Sequence, residues 1–247
     1  MSQEQLGRAA YISGDMIAKV ERGDRSPSAK LVEACEQVSA LESNGILTVL
    51  WDQLRDNFTR PFPGWFAPWP ELEAQAVRLK AFELSVVPGL LQTEGYARAL
   101  LTGRIGFNGD VEEAVSARLA RQAILDRDDP PELFAVIDEA VLHRPVGGTE
   151  VMADQLGRLV DSAARVILRV IPASTGVHDG LQGAFTVADF AHGASAAYLE
   201  SGLRGQVLQD AGDVTELTAT WDRVAAETLP RSASLKLIED VAKQWKT

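Results

Sequence analysis

Asp128, Asp129 and Glu132 share the D-D-x-x-E spacing that magnesium-dependent diphosphate chemistry uses. That chemistry needs the first and last carboxylates on one helical face, where they neutralise a divalent cation and the phosphates it carries. Pro130 and Pro131 stand between them. Proline cannot continue a helix, and it pushes the residue before it out of the α region. Asp126–Glu132 is therefore expected to be a solvated acidic turn that ends a helix. The three histidines, His143, His178 and His192, have no Cys or His three or four residues away, so no local metal site is expected. There is no phosphate-binding loop, dinucleotide fingerprint or nucleophile elbow. No cofactor is expected.

A second group of residues points to a different chemistry. Residues 2–38 read SQEQLGRAAYISGDMIAKVERGDRSPSAKLVEACEQV. Ser2 and Gln5 have capping-box spacing. Leu6 and Ala9 give the first helix an inner face, and Ile12 plugs a short turn. Ser13 caps a second helix, Gly14–Arg22, with Ile17 and Val20 inside and Gly14, Asp15, Ala18 and Lys19 outside. Gly23 is expected to end it. Pro27 and Ser28 open a third helix with Leu31, Val32, Cys35 and Val38 inside. Two short helices, a tight turn and a third helix behind them form the spacing of a helix-turn-helix, and also of a plain three-helix bundle. Five basic side chains against four acidic ones leave residues 1–30 at +1, so the other 217 residues carry −12 of the net −11. An acidic body with one small module of opposite sign excludes a protein coated in nucleic acid but not one local DNA contact.

The chain must supply elements that hold these groups. Its 247 residues are 46% hydrophobic and 24% charged, enough for a sizeable core in one or two domains. The single cysteine, Cys35, excludes an internal disulfide and reads as a small buried hydrophobe. No apolar run approaches a membrane span and no signal-peptide core precedes residue 20, so no membrane contact and a cytoplasmic location are expected. Thr59–Pro70 holds four prolines in twelve residues and reads as a packed connector, with Phe62, Trp65, Phe66 and Trp69 as its apolar anchors.

Beyond it, strand patterns at Leu79–Val86, Leu133–Val141, Val166–Ile171, Ala184–Phe190 and Ala196–Glu200 interleave with helical ones. The helices fall at Thr93–Leu101, Val111–Leu125, Thr149–Ala164, Asp213–Thr228 and Ser232–Trp245. Thr93 is placed to cap its helix, and Arg118, Arg121 and Gln122 share one helical face. Gly147 and Gly148 read as a loop that caps the next helix. The expected class is α+β: a small all-α helix-turn-helix remnant over 1–58, a connector over 59–78 and a mixed α/β regulatory domain over 79–247.

The strings SQEQLGRAA and IAKVERGDRSPS resemble the XRE-type helix-turn-helix, in which the recognition helix ends in I-E-R-G-x-x-x-P-S. The resemblance implies that Gln3 and Ser13 touch DNA phosphates and that Gly14, Asp15 and Lys19 lie in the groove. It implies that Glu21 and Arg22 brace the motif. The family motif has a further helix before this segment, so weak binding to double-stranded DNA is expected of the chain as it stands. Asp15 repels phosphate, although a carboxylate accepts from cytosine N4.

SVVPGLLQTEGYARALL (85–101), RLARQAILDRDDPPELFAVIDEAVLHRPVGG (118–148) and AAETLPRSASLKLIEDVAKQW (225–245) resemble the domain of uncharacterised function that follows such motifs in actinobacterial regulators, the Scr-type antitoxin-like family. What the resemblance implies is a homodimeric transcription regulator whose larger domain answers to a small-molecule effector or to a small partner protein encoded beside it. The alternative is an enzyme on the same scaffold. Asp128, Asp129 and Glu132 resemble the metal motif of magnesium-dependent prenyl-diphosphate cyclases, and they would be its metal ligands.

Overall fold

The computed structural model describes residues 2–22, 25, 27–38, 45–51, 66, 68–103, 110–200 and 205–246. The chain divides into two compact units, Met1–Arg60 and Pro61–Thr247.

Among its described residues the first unit holds helices and turns. It contains α1 (Gln3–Ala9), α2 (Gly14–Glu21) and α3 (Ala29–Glu36). Each start is set by a serine. The Ser2 hydroxyl accepts from the Gln5 amide while the Ser2 amide donates back to the Gln5 side chain, so two otherwise orphaned donors are satisfied. The Ser13 and Ser28 hydroxyls accept from the amides of Met16 and Leu31, both at 3.3 Å. The three helices close on Ala10, Ile17, Leu31, Cys35 and Val38. Gly23 lies outside the described residues.

The second unit is a six-stranded mixed sheet with helices on both faces, an α+β fold. Its elements are α4 (Pro68–Gln75), β1 (Arg78–Glu83), α5 (Glu94–Thr102), α6 (Val111–Gln122), β2 (Glu132–Asp138), α7 (Ala140–His143), α8 (Thr149–Ser162), β3 (Ile167–Ile171), β4 (Phe185–Asp189), β5 (Ser195–Leu199), β6 (Gln206–Leu208), α9 (Ala211–Ala226) and α10 (Arg231–Gln244). The strand order is β3-β2-β1-β4-β5-β6. The β1, β2 and β3 strands run parallel; β4, β5 and β6 each run antiparallel to the strand before them in that order.

Strand alternation sorts the core into two layers. On β1, Leu79 and Ala81 face the larger layer with α4, α5, α8 and α10, whereas Phe82 faces the smaller layer under α9. The α8 helix buries Met152, Leu156 and Leu159 at helical spacing, and α9 buries Val214, Trp221 and Val224.

Three elements differ from the sequence-based expectation. Residues 68–75, expected to be connector, form α4 and bury Trp69 in the larger layer. Prolines are tolerated there because they sit in the first helical turn, where the missing N–H has no partner to lose. The connector residues 59–65 and 67 lie outside the described residues. The strand expected to run to Val141 stops at Asp138, whose carboxylate accepts from the Ala140 amide at 2.7 Å and turns the chain into α7. The short strand β6 carries no alternation long enough to be read.

Candidate functional site

In the first unit α1 meets α2 across the turn at residues 10–13. Tyr11 adopts φ +56° there, and a Cβ on Gly7 would come within 2.6 Å of the Ile12 carbonyl oxygen. Close packing of α1 against this turn is what presents α2. The residues singled out from the sequence fall in different places. Gln3 donates to Glu21 at 2.6 Å, tying α1 to the end of α2. Ser13 is the cap of α2. Asp15 and Lys19 are exposed and form an i,i+4 ion pair at 2.8 Å, which holds the Asp15 carboxyl below its ordinary range. Arg22 is the exposed C-cap residue. Two positions expected to point outward do not. Ala18 is buried, and Gly14 packs on Glu4 of α1, where a Cβ would sit 3.3 Å from the Glu4 Cα. The outward face of α2 is thus narrower than helical spacing implies, because α1 covers its N-terminal edge.

In the second unit the larger layer is not filled. Leu79, Ala81 and Glu83 alternate onto one face of β1. The strand register places Ala81, Thr186 and Tyr198 in one row across β1, β4 and β5. The next step of the same register puts Glu83, Ala184 and Glu200 in a row, with the Glu200 amide bonded to the Ala184 carbonyl. Side chains in one row project to the same face. Ala81, Ala184 and Thr186 are small, so a cavity of about 360 Å³ opens above them.

Three aromatic rings form one wall of this cleft. Tyr198 meets Phe66 edge-on with centroids 5.2 Å apart and Trp69 at 5.4 Å. Behind them Arg121 grips Glu73 with two hydrogen bonds of 2.9 Å, Trp69 donates to the same carboxylate, and the guanidinium lies 4.9 Å from the Phe66 ring centre. Burial pushes the Glu73 carboxyl up and Arg121 pulls it back.

The opposite wall is the segment 85–93, held from four sides. The Tyr96 hydroxyl accepts from the Val87 amide. Gln92 donates to the Val87 carbonyl and accepts from Arg118. Gln122 donates to the carbonyls of Gly89 and Gln92. Gln155, fully buried, accepts from the Thr93 amide and donates to the Leu91 carbonyl, both at 2.8 Å. This wall is rigid because its backbone groups are bound by glutamines from three elements.

At the open end stand Glu83 and Glu200. Tyr198 donates to Glu200 at 2.9 Å, and burial and the Glu200 charge both raise the Tyr198 hydroxyl. Desolvation first, and the Glu200 charge second, push the Glu83 carboxyl up to about 8 against a smaller opposing pull from Arg118. Glu83 is thus mostly protonated at pH 7. Its raised value costs stability as pH climbs from about 4.5 towards 8, so Glu83→Gln is expected to match the parent below pH 5 and to melt higher than the parent above pH 8.

Glu83, raised by burial and by the Glu200 charge, lines this cleft together with Arg118, Glu200 and the aromatic wall, which makes the cleft a candidate binding site. Residues 66–240, which contain every element of this cleft, match the family model described as Domain of unknown function (DUF5753). The chain belongs to the DUF5753 family. Comparison with curated proteins gives no match.

The DUF5753 cleft is legible in the sequence only in part. Arg118, Arg121 and Gln122 share the predicted helical face, and all three turn to the cleft and its wall. Thr93 caps α5 as its position implies, accepting from the Tyr96 amide at 3.3 Å. Glu73, Glu83 and Glu200 carry no motif, because each is one carboxylate in an ordinary string. A glutamate that closes the strand pattern from Leu79 to Phe82 is the local signal for Glu83. Gly147 and Gly148 adopt φ +70° and +91°; Gly148 is the N-cap residue of α8, and Gly147 packs against α5, where a Cβ would meet Ala99 at 2.9 Å.

The D-D-x-x-E residues lie elsewhere. Asp128 and Asp129 are exposed in the bend before β2, and Glu132 is the first residue of β2, paired with Arg78 at 2.9 Å. A strand residue and two bend residues do not share a helical face, so the fold does not gather these carboxylates as a diphosphate site requires. The triple substitution Asp128→Asn, Asp129→Asn, Glu132→Gln is expected to change stability by no more than ~1 kcal/mol, since exposed ion pairs contribute about that at most. Differential scanning calorimetry checks this, and a larger loss would mean that the bend braces β2.

Proposed function

We propose that this chain is a DNA-binding transcription regulator of the XRE type, in which the DUF5753 domain is the effector- or partner-sensing part. The observation that carries the proposal is the α1–turn–α2 arrangement. A serine-capped second helix presents Asp15 and Lys19, and the helix before it carries the S-Q-E-Q-L string. The positive end of α2 favours a phosphate near its first amides, and the exposed Lys19, on the groove-facing side of α2, adds a positive charge towards the phosphates that flank the groove.

The finer features follow the resemblance: a cytoplasmic homodimer of actinobacterial type on paired half-sites, antitoxin-like, paired with a small protein encoded nearby. The DUF5753 cleft supports an effector reading, because its wall is preorganised and its floor is left empty by small residues.

The ion pair within α2 sets the test. In free protein Asp15 holds Lys19, and on DNA that carboxylate faces phosphate. Asp15→Asn is therefore expected to raise affinity several-fold. Lys19→Ala is expected to weaken binding to all duplexes about equally, with a salt slope smaller by about one. Duplexes selected from a random pool by the full chain, followed by salt-dependent anisotropy titrations, decide it. No enriched duplex, or unchanged binding in both variants, overturns the assignment.

A further inference from the structure

Resting on the reading of the DUF5753 domain as effector-sensing, we propose that its cleft binds an uncharged ring bearing a planar amide edge, as in a lactam or a primary carboxamide, with the amide paired to the Glu83 carboxyl and the ring above Ala184 and Thr186 against the Tyr198 wall.

The floor of the cleft carries the first argument. One step beyond the Phe82–Phe185 pair the register sets Glu83 opposite Ala184, and Thr186 is its diagonal neighbour. Glu83 and Thr186 both line the cavity, and both are partly buried. Among the described residues neither side chain has a hydrogen bond or an ion pair. Arg121, Arg118 and Tyr198, by contrast, bond to Glu73, Gln92 and Glu200. A carboxyl and a hydroxyl withdrawn from water with nothing bound to them are hydrogen-bonding capacity that a ligand can fill.

Charge carries the second. The described residues lining the cleft include three glutamates, Glu73, Glu83 and Glu200, and two arginines, Arg118 and Arg121. Burial first, and the Glu200 charge second, push Glu83 up to about 8 against the pull of Arg118. Tyr96 from α5, Tyr198 from β5 and Arg144, which donates to the Ser85 carbonyl, are the other titratable groups at this end. With a proton on Glu83, carboxylates and guanidinium groups lining the cleft are equal in number, and neither a cation nor an anion is called for. The acid presents an O–H and a carbonyl oxygen side by side. Its complement is an acceptor and an N–H side by side in one plane, which is the edge of a cis amide. The two hydrogen bonds then close a ring without separating charge.

Shape carries the third. The β4 strand lies between β1 and β5, so the space between Glu83 and Tyr198 is the space over Ala184 and Thr186. Small side chains keep it open. Tyr198, braced by Phe66 and Trp69, offers an aromatic surface for a flat ring. A cavity of about 360 Å³ matches a molecule of one or two rings.

The test is isothermal titration of the full chain with benzamide and isoquinolin-1-one, set against three relatives of the same size. Benzoate and benzamidine replace the amide by an anion and a cation, and N,N-dimethylbenzamide removes the N–H. At pH 7 at least one amide is expected to bind with a Kd below 1 mM, and each of the three relatives at least tenfold more weakly. The amide meets the acid form, so its Kd should be flat from pH 5 to 7 and rise towards tenfold per unit above about 8. About half a proton should be taken up on binding at pH 8. Glu83→Leu should lose at least tenfold in affinity. Glu83→Gln, which keeps a donor beside an acceptor, should restore binding to within threefold of the parent and abolish the rise above pH 8. No binding by either amide, a charged relative binding as tightly, equal binding by parent and Glu83→Leu, or a parent Kd unchanged from pH 7 to 9.5 overturns the proposal. Anisotropy titration of the selected duplex at a saturating concentration of the tighter amide tests the effector reading by itself. Amide binding with unchanged DNA affinity would keep this site and overturn that reading, whereas a charged relative that alone shifts DNA affinity would do the reverse.

Discussion

Arg121→Met is expected to destabilise the DUF5753 domain by about 3–5 kcal/mol at pH 7 and above, the range for stripping one partner from a buried ion pair. The side chains of Arg121 and Glu73 are only 13% and 5% exposed. Methionine fills the arginine stem volume but leaves the Glu73 carboxylate with a single donor, the Trp69 indole. That charge has been paid for in desolvation and cannot be rehydrated in place. In the variant, Glu73 escapes the penalty by taking up a proton, so the deficit should shrink below pH 5 and grow as pH rises. The double variant Glu73→Gln/Arg121→Met removes both charges and keeps an oxygen for Trp69, and it should recover most of the loss. Chemical denaturation of the four proteins of this cycle, at pH 5 and pH 8, measures both effects. An additive cycle would show that Glu73 and Arg121 do not act as a pair, and a pH-independent deficit would mean that lost packing dominates.

Gln155→Leu carries the next largest effect. Gln155 is fully buried on α8 and answers two backbone groups of the cleft wall, the Thr93 amide and the Leu91 carbonyl. Leucine is close in volume but answers neither. Each orphaned buried group costs about 1–3 kcal/mol, so the expected loss for the two is about 2–6 kcal/mol. The damage should be local as well as global. The Thr93 amide should lose its protection against hydrogen exchange by far more than the amides of β2 or β3, and the segment 85–93 should open separately from the sheet. Gln155→Glu separates the two bonds. It still accepts from Thr93 but cannot donate to Leu91 when ionised, and its charge is buried, so its stability should fall as pH rises. If Gln155→Leu melts like the parent with unchanged Thr93 exchange, the wall is held by the other glutamines alone.

Both residues act across long stretches of chain. Glu73 and Arg121 are 48 positions apart, and Gln155 reaches a segment more than 60 positions away. Nothing in either neighbourhood announces the partner. Gln155 sits in a helix whose apolar stripe is legible, and its amide reads as one more polar residue between leucines. The D-D-x-x-E string shows the opposite case: a local pattern with chemical content that tertiary structure divides between a bend and a strand end. The narrower outward face of α2 belongs with these, since helical spacing exposes Gly14 and Ala18, whereas in the fold Gly14 packs on Glu4 of α1 and Ala18 is buried.

What the sequence by itself determined about this protein is everything governed by contacts within a few residues. Serine caps at 2, 13 and 28, and Thr93 before α5, are legible because a cap bonds three residues along. The α8 stripe and the strand alternation of β1 and β4 are legible because burial repeats with the period of the backbone. The class, and the presence of a small helical unit before a mixed sheet, follow from those periods. Only the tertiary structure decided the cleft. It is made where the ends of β1 and β5 flank β4, and sheet pairing alone brings Glu83, Ala184 and Glu200 into one row. The desolvation that keeps Glu83 protonated is a property of that enclosure, not of a glutamate at position 83. A hydrogen bond to a neighbour in sequence is specified by spacing, whereas an electrostatic environment is the sum of groups that only the folded chain brings within reach.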